Sequence, residues 1–231
     1  MLTYLWDMSI LLIIVSGIFL LPKYITYRNS DYGIASSNSF LRTIGDKGIY
    51  GEFITFTYLE KIKGYNKILA NIYLPKKDGS TTEIDLLMVT ETGIYVIESK
   101  NYSGWIFGDE EHKNWTQSLN NRRKNKFYNP IWQNKGHISA LSAVLNLNDD
   151  GIYKSIIVFS ERCELKKIRI TSENTKLIKR NKLIKIINDD IKTSSKVLSK
   201  SEIGQIYLRI KEFTCVDEKT KLDHISRLQD K

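Results

Sequence analysis

The stretch EIDLLMVTETGIYVIESK, residues Glu83–Lys100, decides the fold. It contains two apolar runs, Glu83–Thr90 and Ile94–Lys100, and the turn sequence Glu91-Thr92-Gly93 joins them. This pattern predicts two antiparallel strands connected by a tight turn. Because Lys67–Leu74 alternates between apolar and polar residues just upstream, we expect a three-stranded antiparallel meander.

Three charged side chains of this hairpin predict a functional site. Asp85 lies in a run so apolar that its carboxylate needs a partner to offset the cost of desolvation. Glu98 and Lys100 are two residues apart on a strand, so they project from one face of the sheet while Ser99 points away. The hairpin can therefore bring Asp85, Glu98 and Lys100 together.

The chemistry of these three side chains suits phosphodiester hydrolysis. Two carboxylates that converge with backbone carbonyls and water form a hard-oxygen site for Mg²⁺ or another divalent cation such as Mn²⁺. A nearby lysine can orient a nucleophilic water and stabilise the developing phosphorane charge. We interpret Asp85 and Glu98 as metal ligands and Lys100 as the lysine beside them. The alternative is that Glu98 and Lys100 form only a solvated pair that contributes roughly a few tenths of a kcal/mol.

The remaining segments alternate between helix and strand patterns. Asp46 can cap a first helix that continues with apolar residues at near-helical spacing and closes at about Gly64, and Pro130 opens a later helix. The last predicted helix starts at a serine, Ser201, that can cap it. This order predicts a layered α/β fold. The other predicted elements are short strands at Trp105–Phe107 and Trp115–Gln117, a buried strand at Ile152–Phe159, and helices near Leu183–Asp190 and Ser201–Phe213.

Composition and charge narrow the class of protein. Of 231 residues, 42% are hydrophobic, which is enough for one principal domain with one core. The formal charge of +9 favours polyanionic partners or an anionic membrane face. Cys163 and Cys215 form no CxxC pair, and His112, His137 and His224 share no metal-ligand or triad spacing. These features argue against a zinc site and against a disulfide-stapled secreted domain.

The N-terminal residues predict a membrane anchor. Met8–Leu21 carries no charge, and the residues from Tyr4 extend it towards the roughly 20 residues that span a bilayer. Lys23 and Arg28 follow the run, which predicts a transmembrane helix at about residues 4–22 with the rest of the chain cytoplasmic. A cleaved signal peptide is disfavoured because no Lys or Arg precedes the run and Leu21-Pro22-Lys23 is a poor cleavage site. A buried core helix is the other alternative.

The domain organisation follows from these patterns. Residues 1–28 form the predicted anchor at the cell membrane, and residues 29–39, rich in Asn and Ser, are predicted to be a linker with little that could pack. We expect a core at residues 40–160. Residues 161–231 are predicted to form a basic, mostly helical extension that packs on this core.

A wider set of residues resembles the nuclease-related domain (NERD) family, a branch of the PD-(D/E)xK restriction-endonuclease-like superfamily. The resemblance covers about Lys47 to Leu147. The superfamily's Pro-Asp pair is absent, since Ile84 stands where the proline would be. The residues that carry the resemblance are Gly48-x-x-Gly51-Glu52, Glu83-Ile84-Asp85, Gly93–Asn101, Gly104, Trp115 and Asn129-Pro130-x-x-Gln133.

The resemblance implies a restriction-endonuclease-like mixed sheet flanked by helices and a Mg²⁺-dependent nuclease. It implies that Glu52, Asp85 and Glu98 are acidic site residues, Lys100 is the catalytic lysine and Gln133 is a supporting polar group. A second nuclease family is disfavoured. The tripeptide at Gly93 resembles the opening of the GIY-YIG motif, but no Tyr-Ile-Gly follows at the required distance.

Basic residues suggest where nucleic acid would bind. A cluster of cations directly precedes the aromatic pair Phe127-Tyr128, a pattern that suits phosphate neutralisation and base stacking. The cations are Arg122, Arg123, Lys124 and Lys126. A solvated loop is the alternative. We therefore carry three functional hypotheses: a membrane-tethered, Mg²⁺-dependent DNA nuclease; a catalytically idle module of the same fold that binds nucleic acid or a partner protein at the membrane; and a protein-interaction platform.

Overall fold

The computed structural model describes residues 17–76, 78–121 and 123–214. The helices are α1 (17–28), α2 (Tyr32–Ser36), α3 (Phe40–Gly45), α4 (Lys47–Leu59), α5 (Pro130–Leu145), α6 (Leu183–Thr193) and α7 (Lys200–Lys211). The strands are β1 (Asn66–Pro75), β2 (Thr81–Thr90), β3 (Gly93–Lys100), β4 (Gly104–Asp109), β5 (Asn114–Ser118), β6 (Lys124–Tyr128), β7 (Tyr153–Phe159), β8 (Cys163–Arg169) and β9 (Thr175–Lys179). Two short 3₁₀ helices cover Asp150–Ile152 and Arg180–Lys182.

The main sheet has the strand order β1-β2-β3-β7-β9. β1, β2 and β3 pair antiparallel, which confirms the predicted meander, whereas β3, β7 and β9 run parallel. The crossover between β3 and β7 contains α5, as parallel strands require a long connection. The predicted α/β class with mixed sheets flanked by helices is therefore confirmed.

Each face of the main sheet is covered by a pair of helices. Ile94 and Val96 of β3 point to the face where α5 and α7 supply the packing residues. Tyr95 and Ile97 point to the opposite face, against α4 and α6. Because both faces are buried, β3 is buried at almost every position, and its run Ile94–Ile97 is continuously apolar instead of alternating.

A second mixed sheet has the order β6-β5-β4-β8. Its inner face packs through Ile106 of β4 and Trp115 of β5, which are fully buried with Phe159 of β7. The predicted short strands at 105–107 and 115–117 are confirmed as the centres of β4 and β5. β6 and β8 were not predicted: the cations of β6 fit a basic loop as well as a strand, and β8 lies in the segment that was predicted to be mostly helical.

Three features differ from the sequence prediction. Residues 29–39 contain α2, and its Tyr32 is fully buried among Phe53 and Phe56, so the prediction that little in this segment could pack was wrong. The described part of the predicted helical extension, residues 161–214, is not mostly helical, because it also contains β8, which completes the second sheet, and β9, which completes the main one. The cap of α7 is Ser199, not Ser201, and Ser199 forms a capping box with Glu202.

The predicted transmembrane segment, about residues 4–22, lies largely outside the described residues. Within residues 17–76, 78–121 and 123–214, no helix is both long enough and apolar enough to cross a membrane.

Candidate active site

The site lies where β2 and β3 separate. The last paired residues of this ladder are Leu86 and Ile97. Just beyond them, the Asp85 carboxylate takes the place of a strand partner, because its Oδ2 accepts a hydrogen bond of 2.8 Å from the backbone N–H of Ser99. On the other side of β2, Asn71 of β1 adopts a positive φ of 52° and interrupts the regular pairing opposite Asp85. The hairpin therefore places the Asp85 carboxylate beside the end of β3.

Glu98 is the buried centre of the site, with only 1% of its surface exposed. Its Oε1 lies 2.6 Å from Lys100 Nζ, and its Oε2 lies 3.0 Å from His137 Nε2. Ser99 points to the opposite face, where its hydroxyl lies 3.0 Å from Thr55 Oγ1 of α4. The two-residue strand period thus places Glu98 and Lys100 on one face, as predicted.

Helix α5 supplies two side chains to this face. Asn129 caps the helix, Pro130 occupies its first turn, and Gln133 and His137 follow four residues apart on the same side. Gln133 Oε1 accepts a hydrogen bond of 3.0 Å from Lys100 Nζ. His137 joins Glu98 through Nε2 and lies 2.8 Å from Thr82 Oγ1 through Nδ1. Lys100 is therefore held between a carboxylate and an amide.

Glu52 approaches the carboxylates from α4. Gly51 makes this approach possible, because a side chain there would collide with Asn101, which follows β3. Asn101 also ties the two elements together, since its amide donates a hydrogen bond of 2.6 Å to the carbonyl of Lys47. Glu52 Oε2 has a long contact of 3.5 Å with the hydroxyl of Tyr32.

The carboxylates raise each other's pKa values. Desolvation, together with the charges of Glu83, Glu98 and Asp46, raises the pKa of Glu52 to about 8. Desolvation and the charges of Glu98 and Glu52 raise the pKa of Asp85 well above its usual range. Full ionisation of these carboxylates would therefore place more negative charge here than the neighbouring cations neutralise.

The pKa shifts of Glu98 and Lys100, in contrast, favour the charged form of each side chain. Burial opposes ionisation of Glu98, but Lys100 and His137 outweigh it and hold the pKa of Glu98 below its usual range. Burial likewise opposes the charged form of Lys100, but the charges of Glu98 and Asp85 keep its pKa raised. Glu98 and Lys100 therefore form an ionised pair inside a cluster that favours further positive charge.

The donor chemistry of this cluster suits a hard cation, although the side chains do not form a closed cage. Within the described residues, no three His, Cys, Asp or Glu side chains are arranged to hold a metal ion as they stand. Asp85 Oδ1 accepts no hydrogen bond from the part of the chain that the structure describes, so one carboxylate oxygen is available as a ligand. Oxygen ligands with excess negative charge are what Mg²⁺ prefers.

Comparison with known proteins identifies the family. The family model described as nuclease-related domain, NERD, matches residues 47–160. An uncharacterized Bacillus anthracis protein, pXO1-01, is 33% identical over 187 residues, which cover 80% of this chain and 85% of that protein. The chain belongs to the nuclease-related domain family. No solved structure matches it significantly.

The NERD match contains all five acidic, basic and amide residues that the sequence singled out. The structure brings Asp85, Glu98, Lys100 and Gln133 together by direct contacts or through the backbone of Ser99. Glu52 lies within electrostatic reach of Asp85 and Glu98. The strand β9 and the helices α6 and α7 lie beyond the match, yet they complete the sheet and cover its faces.

The structure of this NERD protein shows where the predicted nucleic-acid-binding residues lie and adds two residues to the site. The predicted nucleic-acid-binding residues Arg123, Lys124 and Lys126 belong to the second sheet or its β5–β6 turn, and Arg122 lies outside the described residues. His137 and Thr82 were missed as site residues. The available signal was the four-residue spacing of Gln133 and His137 on one predicted helix, which places both on the same face.

Proposed function

We propose that this NERD protein is a metal-dependent nuclease that hydrolyses DNA phosphodiester bonds. One observation carries the proposal: Asp85 and Glu98 lie within electrostatic reach of each other at the open end of the β2–β3 hairpin, with the Lys100 ammonium 2.6 Å from Glu98. Two carboxylates and a lysine in this arrangement suit metal-assisted attack of water on a phosphodiester. The proposal assigns the cofactor as Mg²⁺, or another divalent cation such as Mn²⁺.

Each residue has a role in this proposal. Asp85 and Glu98 would hold the metal, which supplies Lewis-acid activation of water and of the phosphoryl oxygens. Lys100 orients the attacking water and stabilises negative charge on the phosphoryl group, and Gln133 fixes the direction of the ammonium group. Glu52 completes the acidic site directly or through water. Because both oxygens of Glu98 already have partners, metal binding at this residue competes with the Lys100 contact.

The experiment for catalysis uses the full chain with supercoiled plasmid and Mg²⁺. Nicking should occur in Mg²⁺, stop in EDTA, and be lost in Glu98→Gln, which keeps the shape of the side chain but removes its charge. Glu91→Gln is the matched control, because Glu91 lies at the far end of the same hairpin and pairs with Lys196 on the surface. Nicking that survives Glu98→Gln would contradict the assignment of the site.

A catalytically idle module is the second candidate, and the engagement of both Glu98 oxygens favours it. In that case the cluster stabilises the fold, and the domain binds nucleic acid or a partner protein without cutting. This candidate predicts that the protein binds DNA in EDTA with an affinity that falls as salt rises, and that Glu98→Gln and Lys100→Ala keep this affinity. It also predicts that plasmid and RNA substrates stay intact in Mg²⁺.

We also propose that the protein is tethered to the cell membrane with its nuclease domain cytoplasmic. Exposed apolar residues at the start of the described chain support a lipid-facing segment, and Lys23 and Arg28 suit the cytoplasmic headgroup region. The exposed residues are Ile18, Phe19, Leu21 and Ile25. After expression in bacteria, the full chain should stay with the membrane fraction through high-salt and carbonate washes. Its release by either wash would contradict the tether.

A further inference from the structure

The outer face of the second sheet carries an exposed tryptophan. Trp105 of β4 is 50% exposed, although its neighbour Ile106 is fully buried on the inner face. Phe107 is the next outward residue of β4 and is partly buried. A half-exposed tryptophan at the centre of a sheet leaves apolar ring surface in water, and it indicates a binding surface when charged and aromatic side chains share its face.

Strand register places cations on the same face as Trp105. Trp105 pairs with Ser118, and Ser118 pairs with Lys124. In the next outward row, Phe107 pairs with Thr116, and Thr116 pairs with Lys126. Paired residues of neighbouring strands project from the same side, so the exposed lysines of β6 lie in line with the aromatic residues of β4.

The parallel strand β8 extends the same surface on the other side of β4. Trp105 pairs there with Glu164, and Lys166, two residues further along, has its Nζ 5.7 Å from the centre of the Trp105 ring. Tyr128 at the end of β6 is also exposed and points outward with Lys124 and Lys126. The surface therefore combines aromatic rings with the lysines of β6 on one side and, on the other side, with Lys166, whose Nζ lies 2.8 Å from Glu164 Oε2.

A groove of about 570 Å³ opens beside Trp105. Its lining includes Asn120 and Asn121 of the β5–β6 turn together with Arg162 and Glu164. Arg162 donates hydrogen bonds of 2.9 and 3.0 Å to the carbonyl and side-chain oxygens of Asn101. Asn101 follows Lys100 in the chain, so the groove begins close to the candidate active site.

We infer that this outer face binds single-stranded nucleic acid, with a base stacked on Trp105 and neighbouring phosphates near Lys124, Lys126 and Arg162. Base stacking on aromatic rings combined with a cationic track is how proteins hold single strands without sequence preference. A duplex hides the faces of its bases, so an exposed ring at the centre of a sheet favours an unpaired strand. The choice of nucleic acid over other polyanions rests on the proposed nuclease function.

The test measures binding without cleavage. The full chain, in EDTA, is titrated into a fluorescein-labelled oligothymidylate of about twelve nucleotides while fluorescence anisotropy is recorded. Trp105→Ala should weaken binding about fivefold to 150-fold, which is the loss expected for one stacked base. Trp105→Phe keeps a stacking ring and should retain most of the affinity. Far-UV circular dichroism verifies that each variant is folded.

The matched control is Tyr65→Ala. Tyr65 is also an exposed ring with a lysine near it, since Lys200 Nζ lies 5.5 Å from its centre, but it precedes β1 and is not part of the second sheet. This variant should bind like the wild type. A second test replaces Lys124 and Lys126 with alanine, which should lower the slope of log affinity against log salt by about 0.7 for each lost phosphate contact.

Three outcomes would overturn the inference: no binding of the oligonucleotide by the wild type, unchanged affinity in Trp105→Ala, or equal dependence on Trp105 for a blunt duplex. The result of the plasmid-nicking experiment is independent of the result of this binding test. Nicking without Trp105-dependent binding removes this inference and leaves the nuclease, whereas Trp105-dependent binding without nicking removes the nuclease and leaves this binding surface.

Discussion

His137 Nε2 lies 3.0 Å from Glu98 Oε2, and both side chains are buried. A carboxylate only accepts hydrogen bonds, so the Nε2–H of His137 donates to Glu98, and the other ring nitrogen lies 2.8 Å from Thr82 Oγ1. The chain Thr82–His137–Glu98 therefore fixes one oxygen of the carboxylate and directs the other towards Lys100. His137 is a positioning residue for the site.

This relationship predicts a change in metal requirement. His137→Ala should raise the Mg²⁺ concentration for half-maximal nicking about 10- to 100-fold, because Glu98 loses the partner that orients it. His137→Gln can still donate to Glu98 and should recover part of the loss. The measurement is the nicking rate as a function of Mg²⁺, with saturating rate and half-saturation analysed separately. Unchanged half-saturation in His137→Ala would rule out this positioning role.

Substitutions of Lys100 and of Gln133 should slow nicking by different amounts. Lys100→Met removes the ammonium group that contacts Glu98 and should slow nicking about 10²- to 10³-fold, as expected when one stabilising charge is lost. Gln133→Ala leaves Lys100 in place without its 3.0 Å amide partner and should slow nicking about tenfold. Lys196→Met removes an exposed lysine and serves as the control. Equal losses at both positions would contradict the proposed division of roles.

Gly51 should not tolerate a side chain. Gly51→Ala places a methyl group against Asn101 and should lower the free energy of unfolding by about 1–3 kcal/mol, because α4 and the end of β3 must move apart. Gly136→Ala is the matched control, since a methyl group there meets no atom within 4 Å and should stabilise α5 by about 0.5–1 kcal/mol. Urea unfolding of the full chain measures both values. If Gly51→Ala stabilised the protein as Gly136→Ala does, the close approach would be disproved.

The carboxylate of Glu110 should make the free energy of unfolding depend on pH in the acidic range. It is 5% exposed and joins β4 to the segment after β8, because it accepts hydrogen bonds of 2.7 and 2.9 Å from the N–H groups of Thr171 and Ser172 and lies 2.8 Å from Lys135 Nζ. Burial opposes its ionisation, but these partners outweigh that effect and hold the pKa of Glu110 far below its usual range. The ionised form therefore stabilises the fold.

The sign of the pH effect follows from this depressed pKa. The stabilisation is complete above the unfolded-state pKa of about 4.3 and is lost as the pH falls towards the lower folded-state value. Glu110→Gln should cost about 1.5–3 kcal/mol at pH 7, and its difference from the wild type should shrink below about pH 4. Urea unfolding across this pH range measures the effect, with the exposed Glu111→Gln as control. A difference that does not change with pH would show that the charge of Glu110 is not the cause.

Local patterns in the sequence predicted the hairpin and the helices next to the site. The turn at Glu91-Thr92-Gly93, the cap at Asp46 and the proline at Pro130 act within a few residues, so their effects are visible without tertiary structure. The strand period predicted that Glu98 and Lys100 share a face, and the family resemblance added Glu52 and Gln133. α2 was missed because its Asn- and Ser-rich surroundings resemble a linker, although Tyr32 packs into the core.

The sequence by itself determined the hairpin and its turn, the helices next to the site, and which charged residues lie at the end of the hairpin, because hydrogen bonding and side-chain period act locally. Tertiary structure alone decided that His137 and Thr82, 55 residues apart, meet around Glu98, and that β9 joins the main sheet beside β7. It also decided that Trp105 shares an open face with Lys124 and Lys126. Such contacts depend on strand order and on which face another element covers, and both are fixed only when distant segments of the chain pack together.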